Sequence, residues 1–347
     1  MIRFSRRAVT ALAAGSLLGV ITRPVRAAQD ETPEAECIAT TPEENAELAR
    51  AYWREGVWGP QGKIATIVAP DEIHHWGIAG TTEGFEAFAE RWALFNTAFP
   101  DLKFDLSLVT ATDSMAATVW TATGTQEGEW MGIAPTGKTV SWTGINTFRI
   151  ECGMIAESWG EADHIGLRAE LGATDVPAMM ADQHANATPV AGDAAAATAC
   201  ASGGADANEA AAVRWTTEVW NEQNLDTPDE IALPAILHHG ASFPDAHGID
   251  ELKAALTRTF ETFPDVSLTV EDVFSTDDTV VVRWAGTATQ EGNFMGEAPT
   301  GASVTLSGLN VYRMACGQIV ESWSEMNAYD VLNQIRNAEL GEATPTA

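Results

Sequence analysis

Phe85, Phe88, Trp92 and Phe95 recur at spacings of three and four, the pattern of a helix with one apolar face. Leu102, Phe104, Leu106 and Leu108 then alternate with other residues at period two, which predicts a half-buried strand. Upstream, Thr41-Pro42-Glu43-Glu44 reads as a helix start: a capping hydroxyl, a proline in the first turn, then acids at the positive end of the dipole. That helix is expected to run to about Trp58 with Leu48, Tyr52 and Trp53 on one side. A short second helix near Gly62–Val68 leads to an extended piece at Ile73–Trp76, and Thr82-Glu83 is read as the cap of the Phe85 helix. Phe99-Pro100-Asp101 ends that helix. Turns at Thr112-Asp113-Ser114, Pro135-Thr136-Gly137 and Cys152-Gly153 separate the later strands, and Leu167–Leu171 closes the unit as a helix. Helices first and then a run of antiparallel strands is an α+β order.

The whole pattern is written twice. Residues 125–137 read TQEGEWMGIAPTG and residues 289–301 read TQEGNFMGEAPTG, 164 positions apart. The same offset carries His74-His75 onto His238-His239, Trp120 onto Trp284, Asn146 onto Asn310 and Glu157-Ser158-Trp159 onto Glu321-Ser322-Trp323. A register held this long defines two domains of one fold, not a short-period solenoid. The expected limits are 43–172 and 208–341, with an N-terminal segment at 28–42 and a short tail at 342–347. The Ala- and Gly-rich stretch 173–207 between them reads as linker.

The ends and the charge narrow the setting. Residues 1–27 read as a twin-arginine signal peptide: Arg6-Arg7, a short apolar stretch, then Val25-Arg26-Ala27 before the cleavage point. The expected location is therefore periplasmic or extracellular, with no stable membrane insertion once the signal is removed. The formal net charge is −30, and a surface this acidic repels phosphate backbones, so nucleic acid is excluded as a partner. Four cysteines, Cys37, Cys152, Cys200 and Cys316, follow the repeat. In an exported chain they read as disulfides; three pairings exist, and the favoured one is internal to each repeat, Cys37–Cys152 and Cys200–Cys316. No CxxC or His-x-x-x-His spacing suggests a metal, and none is expected.

Phe99-Pro100-Asp101, Gly128, Gly132, Pro135-Thr136-Gly137, Phe148-Arg149 and Glu157-x-Trp159, repeated in the second half with Tyr312 for Phe148, resemble the SnoaL-like polyketide cyclases, also called ester cyclases, of the nuclear-transport-factor-2-like fold. The resemblance implies two tandem cone-shaped domains, each with about three helices on a curved antiparallel sheet. It also implies cofactor-free aldol-type acid/base chemistry in a pocket open at one end. The family's acid/base aspartate, and a histidine two residues before it, fall on Gly160 and Ser158, and on Ser324 and Ser322 in the second copy. Neither serine nor glycine exchanges a proton near neutral pH, so those positions line a site here without driving chemistry.

Candidate residues follow from that frame. His75 and His239 match a family histidine on the first strand and are the catalytic candidates, together with Asp163 as a displaced acid; His74 and His238 are expected on the opposite face. Gln126 and Gln290 stand where relatives carry histidine and could donate to a ligand carbonyl. Trp130 and Met131 are expected to close over a ligand, with Trp142, Asn146 and Asn310 among the pocket residues. Arg149 and Arg313 are expected to pair with Glu157 and Glu321, and Glu161 and Glu325 fall on the wrong strand parity for the pocket. The expected function is binding of a small apolar or aromatic carbonyl metabolite, with cyclisation or isomerisation. The alternative is a binding module without turnover. The tandem copy would supply an internal pseudo-dimer, so a monomer is expected, with the Glu-Ser-Trp strand as the contact.

Overall fold

The computed structural model describes residue 37 and residues 39–56, 61–77, 80–177, 204–240 and 245–340. The expected signal peptide, most of the linker, the tail, Trp58 and Cys200 lie outside the described residues.

In the first domain, α1 (Pro42–Ala51) starts as the sequence predicts. Thr41 accepts from the backbone of Glu44 while the Glu44 carboxylate accepts from Thr41 N, a full capping box. The helix then widens into a π-helical turn, Tyr52–Gly56, rather than continuing as α-helix to Trp58. There follow α2 (Gln61–Ile64), β1 (Val68–Trp76), β2 (Gly80–Glu83), α3 (Phe85–Ala98), β3 (Lys103–Ala111), β4 (Met115–Thr125), β5 (Thr139–Glu151), β6 (Met154–Ala162) and α4 (His164–Leu171). Thr82 and Glu83 belong to β2 instead of capping α3; Gly84, at φ 83°, makes the turn into the helix, a conformation that glycine adopts freely.

The second domain repeats the order: α5 (Ala205–Arg214), a π-helical turn (Trp215–Asn221), α6 (Thr227–Ile231), β7 (Ala232–Gly240), β8 (Ala246–His247), α7 (Ile249–Thr262), β9 (Ser267–Ser275), β10 (Thr279–Thr289), β11 (Ser303–Ala315), β12 (Gln318–Met326) and α8 (Ala328–Glu339). Each domain has one six-stranded sheet, ordered β2-β1-β6-β5-β4-β3 and β8-β7-β12-β11-β10-β9. The sheets are mixed. β1 runs parallel to β6, and β7 parallel to β12; period-two alternation carries no information on strand direction.

The register places His74 beside Ser158, Trp76 beside Gly160, Phe148 beside Ser158 and Asn146 beside Gly160. These residues share the face covered by the helices, where Trp76, Trp120 and Phe148 pack with Tyr52, Phe88 and Trp92 in one buried cluster. The other face of each sheet meets the other domain. Ala117, Val119 and Ile145 form a separate apolar cluster with Phe274, Val281, Leu309 and Val311. Two polar contacts cross the same boundary: Ser307 donates to Glu161 at 2.8 Å, and the Arg283 guanidinium lies 4.6 Å over the Trp159 ring. Cys37 and Cys152 form a disulfide, tying the entry of α1 to the β5–β6 turn. Cys316 is disulfide-bonded as well.

Candidate functional site

The interior of the first cone is an aromatic box with one polar chain in it. Ser158 Oγ donates to Glu72 Oε1 at 2.6 Å, and His74 Nδ1 lies 2.6 Å from the same hydroxyl. All three residues are buried completely. With Glu72 ionised, the serine hydrogen points to the carboxylate. The serine oxygen must then accept from His74 Nδ1–H, which leaves the Nε2 lone pair exposed to the interior. His74 Nε2, Glu72 Oε2 and the Asn146 amide nitrogen have no hydrogen-bond partner among the described residues. Unpaired buried polar atoms cost about 1–3 kcal/mol each, and these three lie on the helix-covered face of the sheet.

Burial sets the electrostatics. It pushes the Glu72 carboxyl up to about 7, against the lowering effect of the Ser158 hydrogen bond and of Arg91. It pushes His74 down to about 3, helped by Arg91 and His75. At neutral pH the imidazole is therefore uncharged and the carboxyl is poised between its two forms. Asn146 is fixed by its other end, since its Oδ1 accepts from Trp120 Nε1 at 2.8 Å.

The second cone keeps the outline without the buried carboxylate. His238 Nδ1 lies 2.8 Å from Ser322 Oγ, but Ile236 stands at the position of Glu72. Asn310 accepts from Trp284 at 2.6 Å and donates its amide to the Tyr312 hydroxyl at 2.9 Å. Tyr312 thus satisfies the donor that Phe148 leaves open in the first domain.

Several sequence expectations change here. His75 and His239 lie on the outer face, not in the cones: His75 stacks on Trp159 with ring centroids 5.3 Å apart and pairs with Glu157 at 2.9 Å, and His239 does the same with Trp323 and Glu321. His239 also pairs with Asp245; burial opposes its charging, but its two carboxylate hydrogen bonds raise it to about 9. The residue one position earlier on each strand faces inward, because Glu72, His74 and Trp76 share one parity. Asp163 is occupied as a helix cap, accepting from Gly166 N at 2.9 Å at the start of α4.

Gln126 and Gln290 are not presented to a ligand either. Gln126 Oε1 accepts from Thr136 N and Oγ1 at 3.0 and 2.7 Å, and its Nε2 donates to Ile133 O. Gln290 Oε1 makes the matching bonds to Thr300, and its Nε2 donates to the carbonyls of Gly292 and Ala298. The duplicated TQEG…APTG stretch is therefore a self-bracing loop. A side chain on Gly128 would meet the Thr97 carbonyl of α3 at 2.4 Å, so only glycine permits that approach. Within this loop Trp130 packs 4.1 Å from Phe95 as part of the core, and Met131 sits at φ 48° with its carbonyl held by Arg168. Trp142 packs on Phe99 at 5.2 Å. Gly160 has no room for a side chain, since a Cβ would come within 2.7 Å of Asn146 Nδ2 and 2.9 Å of the Trp76 ring; Ser324 takes its place on β12. Arg149 and Arg313 pair with Glu157 and Glu321 as expected. Glu72 was missed: after Asp71 it reads as part of a solvated polar run, and only a partner 86 residues away makes its burial tolerable.

The model of the SnoaL-like polyketide cyclase family matches residues 46–171 and 210–335. The chain belongs to this family, as two tandem copies. Among solved structures, a protein named as a SnoaL-like polyketide cyclase from Jannaschia sp. CCS1 is 28% identical, over 39% of this chain and 94% of that chain, with a TM-score of 0.37. IdmH from Streptomyces antibioticus, named as a polyketide cyclase, is 27% identical over 37% of this chain and 98% of that chain, with a TM-score of 0.34. No curated protein matches significantly.

Proposed function

We propose that the first domain binds a small apolar carbonyl compound and moves a proton on it, with Glu72–Ser158–His74 as a relay. The observation that carries this reading is the buried chain itself, whose two outer atoms, His74 Nε2 and Glu72 Oε2, are unpartnered. A carbon beside a carbonyl gives its proton to His74 Nε2. The Nδ1 proton passes to Ser158 Oγ, and the serine proton passes to the Glu72 carboxylate. Imidazole and serine end uncharged, the imidazole now as its Nε2–H tautomer with the serine hydrogen turned to Nδ1, Glu72 ends neutral, and the substrate ends as an enolate. Because the proton comes to rest on a group titrating near 7, the relay avoids a buried imidazolium. Asn146 Nδ2 is the donor best placed to receive the enolate oxygen. The reverse sequence returns the proton to the alkoxide formed in ring closure or to another carbon. This is cofactor-free chemistry of the kind the family implies, with the base and the proton sink on β1 and the serine between them on β6.

In this reading the second domain covers the outer face of the first as an internal pseudo-dimer partner. The domain limits 43–172 and 208–341, with a linker at 173–207, belong to the same proposal. The arginine pair at residues 6–7 and the Cys37–Cys152 bridge support export. No helix among the described residues is long and apolar enough to cross a membrane.

The test is hydrogen–deuterium exchange at the α-carbon of an aromatic β-keto ester, followed by NMR in heavy water. The wild type and His238→Gln should exchange the probe alike, and His74→Gln should lose about 10²-fold or more. Equal loss in both variants, or exchange by neither protein above background while the probe binds, contradicts the relay. The second of those results favours a binding module without turnover.

A further inference from the structure

On the outer face of the first sheet, the register sets Thr81 opposite His75 across the β1–β2 pair and Trp159 opposite His75 across the β1–β6 pair. Glu157, two residues before Trp159, shares that face. Three side chains therefore meet in a row. Thr81 Oγ1 lies 3.0 Å from His75 Nδ1, and His75 Nε2 lies 2.9 Å from Glu157 Oε1. Arg149 pairs with the other oxygen of Glu157 at 2.9 Å. Burial opposes ionisation of Glu157, but the hydrogen bonds from His75 and Arg149 hold its carboxyl below the ordinary range. In the uncharged ring the hydrogen sits on Nε2, facing Glu157, and the Nδ1 lone pair accepts from the threonine hydroxyl. The stack on Trp159 holds the ring in that plane.

Thr81 is exposed and, with His75, lines a cavity of about 210 Å³ between the domains. Arg283 reaches this cavity from the second domain. One of its terminal nitrogens pairs with Glu271, while its Nε is buried and has no hydrogen-bond partner among the described residues. The second domain is an internal control. The repeat offset of 164 places Asp245 where Thr81 stands and Val119 where Arg283 stands. Asp245 and Glu321 hydrogen-bond the two nitrogens of His239. Those bonds outweigh burial and raise His239 to about 9, so it is an imidazolium with no lone pair to act as a base. Hydroxyl and unpaired guanidinium donor thus occur together beside His75, and both are replaced beside His239.

We propose that Thr81–His75–Glu157 is a second site, which hydrolyses esters of short carboxylic acids, with Arg283 Nε as a donor to the oxyanion. Thr81 Oγ1 attacks the ester carbonyl carbon, and its proton moves to His75 Nδ1. The oxyanion so formed takes a hydrogen bond from Arg283 Nε. The bond to the alcohol breaks and the leaving alkoxide takes the proton from His75, which leaves an acyl-threonine. Water then attacks the acyl carbon and gives a proton to His75. The acid departs as that proton returns to Thr81 Oγ1. The sum is ester plus water to acid plus alcohol. Glu157 stays ionised throughout and steadies the imidazolium of each step. The small cavity sets the preference for a short acyl group. The site does not rest on the relay chemistry of the cone.

Hydrolysis of p-nitrophenyl acetate by the full chain tests it, with the acylated protein trapped in acid and mapped by mass spectrometry. The wild type should release a burst of nitrophenolate and carry an acetyl group on Thr81. Thr81→Val keeps the shape of an exposed side chain and should lose turnover by about 10²-fold or more, together with the acetyl group. His75→Gln should slow acylation to a like extent, and His239→Gln should leave it unchanged. Thr81→Ser keeps a hydroxyl and should retain the burst, which separates a lost nucleophile from a damaged fold. Unchanged turnover in Thr81→Val, an acetyl group on lysine or histidine alone, or equal loss in His75→Gln and His239→Gln overturns the proposal. So does a Thr81→Ser variant as inactive as Thr81→Val.

Discussion

Ser158 gives its hydroxyl hydrogen to Glu72 across 2.6 Å in a fully buried setting, whereas in the second domain, where Ser322 is its counterpart, Ile236 stands at the position of Glu72. This one difference separates a relay with a proton sink from a histidine–serine pair without one. The two cones share a backbone plan and differ in the polar groups of their interiors.

Ser158→Ala tests the middle of the relay. Both ends remain, and the methyl group fits the space of the hydroxymethyl, so the fold should lose only about 1–2 kcal/mol for the broken hydrogen bonds. Exchange at the probe carbon should fall by about 10²-fold with little change in probe affinity. A loss confined to affinity would assign Ser158 to binding instead.

Phe148→Tyr should convert the first cone to the state of the second. The new hydroxyl would reach Asn146 Nδ2 as Tyr312 reaches Asn310 Nδ2 at 2.9 Å. The expected result is a gain of about 1 kcal/mol in stability from the satisfied donor, together with loss of probe exchange. Denaturant unfolding and the exchange assay read the two effects on one protein. A variant that is stabilised and still active would remove Asn146 from the site.

The contact between the domains carries its own pH dependence. Glu161 accepts from Ser307, and its burial against the second domain raises it to about 8; the Ser307 hydrogen bond lowers it and Asp330 raises it further. Burial likewise raises Glu325, with Asp163 and Glu161 as neighbouring acids and Thr143 as a hydrogen-bond donor that lowers it. A carboxyl raised on folding contributes stability that is fully present below its unfolded value near 4.3 and is lost as pH rises through its folded value near 8. Thermal unfolding should therefore show Tm falling by several degrees between about pH 6 and pH 9. Glu161→Gln keeps an acceptor for Ser307 and should flatten that slope; an unaltered slope would show that Glu161 does not set it.

Much of this was legible in the sequence. The repeat, the Thr41 cap, the alternating strands, the Cys37–Cys152 bridge and the arginine partners of Glu157 and Glu321 all rest on local pattern or on a register that the duplication states twice. The inward face of β1 was not. Ile73 beside His75 suggests one parity, and Trp76 beside His74 the other. Choosing between them needs the parallel pairing of β1 with β6, which no local pattern reveals. Gln126 misled for a related reason: an isolated amide in a turn reads as a ligand contact until its three bonds within the loop are seen. Glu72 reads as a surface acid until Ser158 is brought to it.

The most direct measurement of the central claim is the titration of Glu72 itself. In protein labelled at the glutamate side-chain carboxyl carbon, the resonance absent from Glu72→Gln identifies Glu72, and its chemical shift can be followed with pH by ¹³C NMR. The account predicts a midpoint at about 7, with the group neutral below it and ionised above it, and base-driven exchange rising through the same range. A midpoint at the ordinary glutamate value near 4.3 would leave the relay without its sink and contradict the account.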